Sequence, residues 1–215
     1  MAKIVCIGEA MVELSRRGND WALGHGGDTL NTAIHLSRLG HDVSYLSALG
    51  ADPFSDELRM ALEGEGVDCS LILTHPARNV GLYAITNDDR GERSFTYWRD
   101  RSAAKEMFAL PQSGAVSDSA MQCDLVYFSL ISLAILPAEG RSSLLELARR
   151  ARQAGARVAF DGNYRPRLWP DTNQAVAMHG AAIAVSTPAT NQPNMKPPPM
   201  VSREAPGKEN ATAAI

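Results

Sequence analysis

A glycine-rich stretch that opens a helix contains the first group of residues able to do chemistry. The stretch Gly24-His-Gly-Gly-Asp28-Thr-Leu-Asn31 places two adjacent glycines before a carboxylate and an amide. Adjacent glycines let a ligand approach the backbone closely, and Asp28 and Asn31 fall on one first helical turn. A carboxylate and an amide there suit the hydroxyl groups of a polyhydroxylated ligand. Ordinary helix capping has the same pattern, so both interpretations stay open.

A second group lies in Tyr97-Trp-Arg99-Asp-Arg101-Ser-Ala-Ala. The Arg99 guanidinium could hold a carboxylate through two parallel hydrogen bonds, and the Tyr97 hydroxyl could add a third. The alternative is an exposed strand end with solvated charges.

A third group, Asp161-Gly-Asn163-Tyr-Arg165-Pro-Arg167-Leu-Trp169, follows an apolar segment. Two arginines in this position suit a phosphate or a carboxylate. The alternative is a charged loop in which Trp169 only packs against the core.

Alternating strands and helices must position these groups. Apolar runs predict strands at 3–7, 11–15, 43–49, 70–73, 125–130 and 157–160, with helices starting at Gly26 and spanning 52–64 and 138–154. Two alternating segments, 80–86 and 92–98, predict a β-hairpin around a polar turn. This order is typical of an α/β fold with a mainly parallel sheet flanked by helices, in which ligands bind beyond the carboxyl ends of the strands.

Composition argues against two classes of function, nucleic-acid binding and membrane spanning. The 215-residue chain has a net charge of -3, which gives no basic surface for nucleic acid, and no apolar run long enough to span a membrane. The three cysteines lie far apart and outside metal-ligand spacings, so we expect no bound metal site and a reducing, cytoplasmic location. The phosphate-binding loop and dinucleotide glycine motifs are absent from the sequence.

The sequence changes character after Trp169. All thirteen aromatic residues lie at or before it, and seven of the twelve prolines follow it. Sequence without large apolar side chains cannot offset its chain entropy by burial. We therefore expect residues 1–169 to be the folded part and residues 170–215 to be a disordered tail.

Four motifs in this order resemble the ribokinase-like carbohydrate kinases. They are Gly8-Glu9 after the first strand, Gly26-Gly-Asp-Thr-Leu-Asn31, Leu46-Ser-Ala-Leu-Gly-Ala-Asp-Pro-Phe54 and Asp161-Gly-Asn-Tyr-Arg-Pro-Arg-Leu-Trp169. Within that family, Tyr97-Trp-Arg-Asp-Arg-Ser-Ala-Ala104 and the last of the four motifs are similar to the corresponding motifs of the 2-keto-3-deoxygluconate kinases. The resemblance implies a ribokinase-like sheet with a small β-hairpin lid, formed by about 11–24 and 80–99.

The resemblance also implies phosphoryl transfer from ATP, with Mg²⁺, to the 6-hydroxyl of 2-keto-3-deoxygluconate. It implies cofactor contacts from Asn163 and Arg165 and a homodimer formed through the lid. The residues that it assigns to the sugar acid are Gly27, Asp28, Asn31, Tyr83, Tyr97, Arg99 and Arg165.

The resemblance stops before the second half of the family fold. That half contains a Gly-Ala-Gly-Asp motif, whose aspartate is the general base and whose backbone amides stabilise the transferring phosphoryl group. The chain has no such sequence, and its tail looks like a shifted reading frame. We therefore expect the C-terminal half of the fold to be missing and the chain to be inactive. The alternatives are a neutral-sugar kinase of the fructokinase or ribokinase type and a non-catalytic fragment that binds a sugar acid.

Overall fold

The computed structural model describes residues 1–87 and 91–187. Its strands are β1 (Lys3–Ile7), β2 (Met11–Arg17), β3 (Asp20–Gly26), β4 (Asp42–Leu49), β5 (Val67–Asp68), β6 (Ile72–Thr74), β7 (Gly81–Asn87), β8 (Arg93–Trp98), β9 (Leu125–Ser129) and β10 (Arg157–Asp161). Its α-helices are α1 (Asp28–Arg38), α2 (Pro53–Gly64), α3 (Ser113–Ala120), α4 (Leu130–Ile135), α5 (Ala138–Gln153) and α6 (Thr172–Val185). Short 3₁₀ helices span Ala103–Glu106 and Pro166–Leu168.

A parallel sheet forms the centre of the molecule, which confirms the predicted fold class. Its strand order is β10-β9-β1-β4-β5, and β6 pairs with the second half of β4. Every pairing in it is parallel, so all strands end at the same edge. The apolar runs are buried on both faces, with Ile7, Tyr45 and Phe128 fully enclosed.

Helices α2 and α5 begin within a residue of their predicted starts, whereas α1 begins at Asp28, two residues after the predicted Gly26, and α3, α4 and α6 were not predicted. Asp52 caps α2 by accepting from the backbone N–H groups of Phe54 and Ser55, and Pro53 occupies the first helical position. Helix α5 buries Leu144, Leu147 and Ala148 against the sheet, as its apolar spacing predicts.

A second, four-stranded sheet has the order β3-β2-β7-β8 and is called the small sheet below. The predicted hairpin is confirmed, because β7 and β8 pair antiparallel with Tyr83 opposite Tyr97. Residues 88–90 of its turn lie outside the described residues. Sequence analysis did not predict β3 as a strand, nor the parallel pairing of β2 with β7 that joins two hairpins into one sheet.

The chain beyond Trp169 differs from the expectation of disorder. Residues Thr172–Val185 form α6, which Asp171 caps, and Ala175 and Ala182 are buried in the core. Small alanine side chains let α6 pack closely without aromatic residues. The Thr187 N–H donates to the Val158 carbonyl on β10, 2.9 Å away. The predicted tail is therefore wrong over 172–187, and its part from residue 188 onward lies outside the described residues.

Candidate functional site

The first turn of α1 lies at the edge where the strands of the parallel sheet end. Gly27, with φ of +152°, precedes the helix, and a Cβ there would lie 2.4 Å from the Glu9 carbonyl oxygen. Only glycine allows this approach. The helix start has no side-chain cap, and Asp28 Oδ2 is buried without a hydrogen-bond partner. The capping alternative is therefore not realised by Asp28, whose carboxylate remains available for a ligand.

Two hydroxyl contacts fix α1 on the sheet. Thr29 Oγ1 lies 2.9 Å from the Tyr45 hydroxyl on β4, and the Thr32 hydroxyl donates to the Tyr127 oxygen on β9. Burial raises the pKa of the Tyr127 phenol, the Thr32 contact opposes this, and the charges of Asp161 and Asp28 raise it further. The start of α1 and the end of β10 therefore act on the same phenol, which brings the first and third predicted groups to one region.

Aromatic side chains line one face of the small sheet. The ring centroids of Tyr83 and Tyr97 are 5.8 Å apart, and Phe95 stacks on Tyr97 at 6.3 Å. Tyr83 is buried, whereas half of the Tyr97 surface is exposed at 50%. The Tyr97 ring is therefore accessible, and the buried Tyr83 ring lies beside it on the neighbouring strand.

Glu13 on β2 holds Tyr83 in place. The Tyr83 hydroxyl donates to Glu13 Oε2, and the Ser15 hydroxyl donates to Glu13 Oε1 at 2.6 Å. Burial, followed by this contact with Glu13, raises the pKa of the Tyr83 phenol, which keeps it protonated as a donor. A Cβ on Gly26 would lie 2.0 Å from the Tyr83 oxygen, so a glycine is needed there for the ring to reach its position.

Arg99 follows the last residue of β8 and turns into the molecule. Its guanidinium forms an ion pair with the Glu9 carboxylate, which follows β1, and both residues are buried. The Arg99 Cζ also lies 5.8 Å from the centre of the Tyr97 ring. The alternative of an exposed strand end with solvated charges therefore does not apply to Arg99, whereas Asp100 and Arg101 are exposed.

The third group lies beyond the carboxyl end of β10. Asn163 is half-buried and Arg165 and Arg167 are exposed, which leaves their donors accessible. Trp169 is buried, and the Arg141 guanidinium lies 5.0 Å from the centre of its ring. Trp169 therefore packs, as the alternative interpretation of this segment held, while the polar residues before it remain free to meet a ligand.

The structure thus brings together most of the predicted residues but not all of them. Gly27, Asp28 and Asn31 share the first turn of α1, and Tyr83, Tyr97 and Arg99 share the adjoining end of the small sheet. Within residues 1–87 and 91–187, the Arg165 side chain makes no hydrogen bond or ion pair to either group.

Sequence analysis assigned no role to Glu9 or to Glu13. Glu9 had a usable signal, because it follows a buried parallel strand at the edge where such sheets bind ligands. Glu13 had none beyond its place in an alternating strand.

The chain belongs to the pfkB family of carbohydrate kinases. The family model matches residues 1–192, which extends past the predicted boundary at residue 169. Membership agrees with the parallel sheet, the second small sheet and the glycine-rich start of α1.

None of the helices in the described part of the chain has the length and apolar character that a membrane span requires. The same residues contain no group of three or more His, Cys, Asp or Glu side chains arranged to bind a metal ion.

Individual relatives and solved structures show which kinds of carbohydrate kinase the chain resembles. The chain is 47% identical over 171 residues to the 2-dehydro-3-deoxygluconokinase of Escherichia coli, covering 78% of this chain and 55% of that protein. It is 45% identical over 179 residues to the enzyme of the same name from Dickeya dadantii, covering 80% and 58%. The crystal structure of a fructokinase with bound ATP from Xylella fastidiosa superposes with a TM-score of 0.72 at 28% identity, covering 86% and 56%. The chain therefore spans little more than half the length of these relatives.

Proposed function

We propose that this chain is the sugar-binding half of a kinase that transfers a phosphoryl group from ATP to 2-keto-3-deoxygluconate, which is also called 2-dehydro-3-deoxygluconate. The observation that supports this substrate most is the pair of Tyr97 and Arg99 at the end of β8. A buried guanidinium beside a half-exposed phenol matches a carboxylate, which a neutral sugar lacks. The two relatives named 2-dehydro-3-deoxygluconokinase support the same substrate.

The other residues follow from the chemistry of a polyhydroxylated acid. Asp28, with its unpartnered buried oxygen, and Asn31 would accept and donate hydrogen bonds to sugar hydroxyls, and Gly27 would let the sugar approach the backbone. In this proposal the small sheet is the lid. Tyr83 and Tyr97 would cover the sugar ring and exclude water, which strengthens every polar contact beneath them.

The ATP site is supported only in part by the chain. Asn163 and Arg165 offer accessible donors beyond β10, which suit phosphate oxygens, and any Mg²⁺ would be held by the phosphates of ATP. ATP would supply the phosphoryl group, while this chain binds and orients the acceptor. We propose Arg165 as a contact to the substrate or the phosphates.

The 215-residue chain by itself is expected to have negligible kinase activity, because it contains no Gly-Ala-Gly-Asp sequence. A general base contributes ~10²–10⁴-fold to the rate, and phosphoryl stabilisation contributes similar amounts. A coupled assay of ADP release tests this. Turnover near the ~1–100 s⁻¹ of ordinary kinases would contradict it.

A neutral-sugar kinase is the alternative, and the superposition on the Xylella fructokinase favours it. A substitution at Arg99 distinguishes a sugar-acid kinase from a neutral-sugar kinase. In a protein that joins this chain to the second half of a relative, Arg99→Ala should raise the KM for 2-keto-3-deoxygluconate and leave weak activity on fructose nearly unchanged, since fructose has no carboxylate. Equal losses on both substrates would contradict the acid assignment.

We further propose that two copies pair through the outer face of the small sheet. Trp21, Leu23 and Trp98 lie on that face and are 49%, 42% and 58% exposed. An exposed apolar face of this kind is typical of an interaction surface. Sedimentation of the wild-type chain and of Trp98→Ser tests this, with a dimer expected for the first and a shift toward monomer for the second. A monomeric wild type would contradict the proposal.

A further inference from the structure

We propose that Glu9 is a positioning residue, which fixes the Arg99 guanidinium before a sugar acid arrives and thereby sets the preference for an acid over a neutral sugar. This inference rests on the proposed function, because it concerns how Arg99 meets the substrate carboxylate.

The geometry of the pair supports this role. The Glu9 side chain is 2% exposed and that of Arg99 10% exposed, with Arg99 Nη2 donating to Glu9 Oε2. Glu9 Oε1 and Arg99 Nε are also buried, and neither atom has a hydrogen-bond partner among the described residues. Two charges removed from water in this way are strongly coupled, since either one alone would be an uncompensated buried ion.

The surroundings leave Glu9 little freedom. A Cβ on Gly81, the first residue of β7, would lie 2.6 Å from Glu9 Oε1 and 3.4 Å from Arg99 Cβ. On the other side, the Glu9 carbonyl lies against Gly27 at the start of α1. Glu9 therefore links the end of the small sheet, where Arg99 lies, to the helix turn that holds Asp28.

This link determines how Arg99 can bind an anion. A free arginine must lose side-chain freedom when a carboxylate binds, whereas a guanidinium held by Glu9 has already lost it. The pair has no net charge, so preference for the acid depends on the orientation of the guanidinium. The opposite view, that Glu9 merely cancels the charge of Arg99, predicts that removing the Glu9 charge strengthens acid binding.

Calorimetric titration of the 215-residue chain with 2-keto-3-deoxygluconate and with fructose separates these views. We expect Glu9→Gln to weaken binding of the acid about tenfold, as loss of an oriented charge-assisted contact does, and to change fructose binding less than about twofold. Glu146→Gln is the matched control, because Glu146 pairs with Arg149 on the exposed face of α5. It should change neither affinity.

Gly81→Ala provides a second variant that keeps both charges and displaces the Glu9 carboxylate by steric contact. It should show the same acid-specific loss, and thermal unfolding of each variant confirms that folded proteins are compared. Acid affinity that is unchanged or raised in Glu9→Gln, or equal losses for acid and fructose, would overturn the positioning role. A wild type that does not prefer the acid would instead overturn the proposed function and this inference with it.

Discussion

The parallel sheet and the small sheet differ in where their side chains lie. In β1 and β4 most residues are buried and apolar, whereas all six residues of β8 are exposed. The small sheet instead contains polar pairs, such as Glu13 with Tyr83, and ends at the buried pair of Glu9 and Arg99. This difference indicates two tasks: burial in the parallel sheet stabilises the fold, and we propose that the small sheet presents groups to a ligand.

Truncating one phenylalanine in each sheet gives the largest expected difference in the free energy of unfolding. Phe128 on β9 is fully buried and packs against Phe160 with ring centroids 5.3 Å apart, whereas Phe95 on β8 is 43% exposed. Phe128→Ala should lower the free energy of unfolding by ~3–5 kcal/mol, because it leaves a cavity in the core. Phe95→Ala should cost less than ~1.5 kcal/mol, the size of an aromatic pair contribution. Urea titration checks both values, and equal losses would mean that the small sheet is part of the stabilising core.

A methyl group added at Gly26 tests whether the small sheet contributes to ligand binding. Since it would lie 2.0 Å from the Tyr83 hydroxyl, Gly26→Ala should displace the Tyr83 ring and weaken binding of 2-keto-3-deoxygluconate about tenfold. Gly114→Ala on α3 is the control, because its added methyl group would meet no atom within 4 Å. Titration calorimetry on both variants gives the comparison. Normal affinity in Gly26→Ala would show that Tyr83 does not shape the site.

A smaller effect on stability is expected from the contact between His75 and Glu106, which lies in the segments that connect the two sheets. His75 Nδ1 accepts from the backbone N–H groups of Ala77 and Arg78, so its Nε2–H donates to Glu106 at 2.8 Å, and Arg78 also contacts Glu106. The hydrogen bond from His75, followed by burial that acts the other way and by the charge of Arg78, leaves the pKa of Glu106 below its usual range.

A lowered folded-state pKa stabilises the protein above the unfolded pKa of about 4.3, and this contribution is lost as pH falls through the folded value. Glu106→Gln should therefore lower the Tm slightly at pH 7, and the difference from wild type should vanish as the pH falls below 4. Because about a third of the Glu106 side chain is exposed at 35%, solvent screening keeps the effect small. Calorimetric scans across pH check it, with Glu57→Gln on the exposed side of α2 as the control. A difference that grows toward low pH would contradict the sign.

The parallel sheet was largely predictable because its strands are local apolar runs. Lys3–Ile7, Asp42–Leu49 and Arg157–Asp161 lie within a residue or two of their predicted bounds. Strand β3 was missed because Gly24 and Gly26 are typical of a turn. In the structure both are strand residues, and Gly24 lies next to Glu13 while Gly26 lies next to Tyr83. Helix α6 was missed because it packs through alanines, whose burial depends on close approach that composition does not reveal.

The sequence allows candidate site residues to be proposed one by one, but it does not predict the contacts among them. Asp28 and Asn31 could be placed together because both lie on one helical turn. The pairing of Glu9 with Arg99 joins residues 90 positions apart and depends on how the small sheet meets the parallel sheet. Local patterns do not determine such a contact, so the sequence could offer Arg99 as an accessible carboxylate ligand but not as a guanidinium already held by a glutamate.

The preference of the wild-type chain for an acid over a neutral sugar tests the central claim most directly. Competition between 2-keto-3-deoxygluconate and fructose for the same chain, followed by saturation-transfer NMR of the ligand signals, measures that preference without requiring catalysis. We expect the acid to displace fructose with at least about a tenfold lower Kd, because in the proposed function Tyr97 and Arg99 bind its carboxylate. Equal displacement in both directions would contradict the claim that the end of the small sheet recognises a sugar acid.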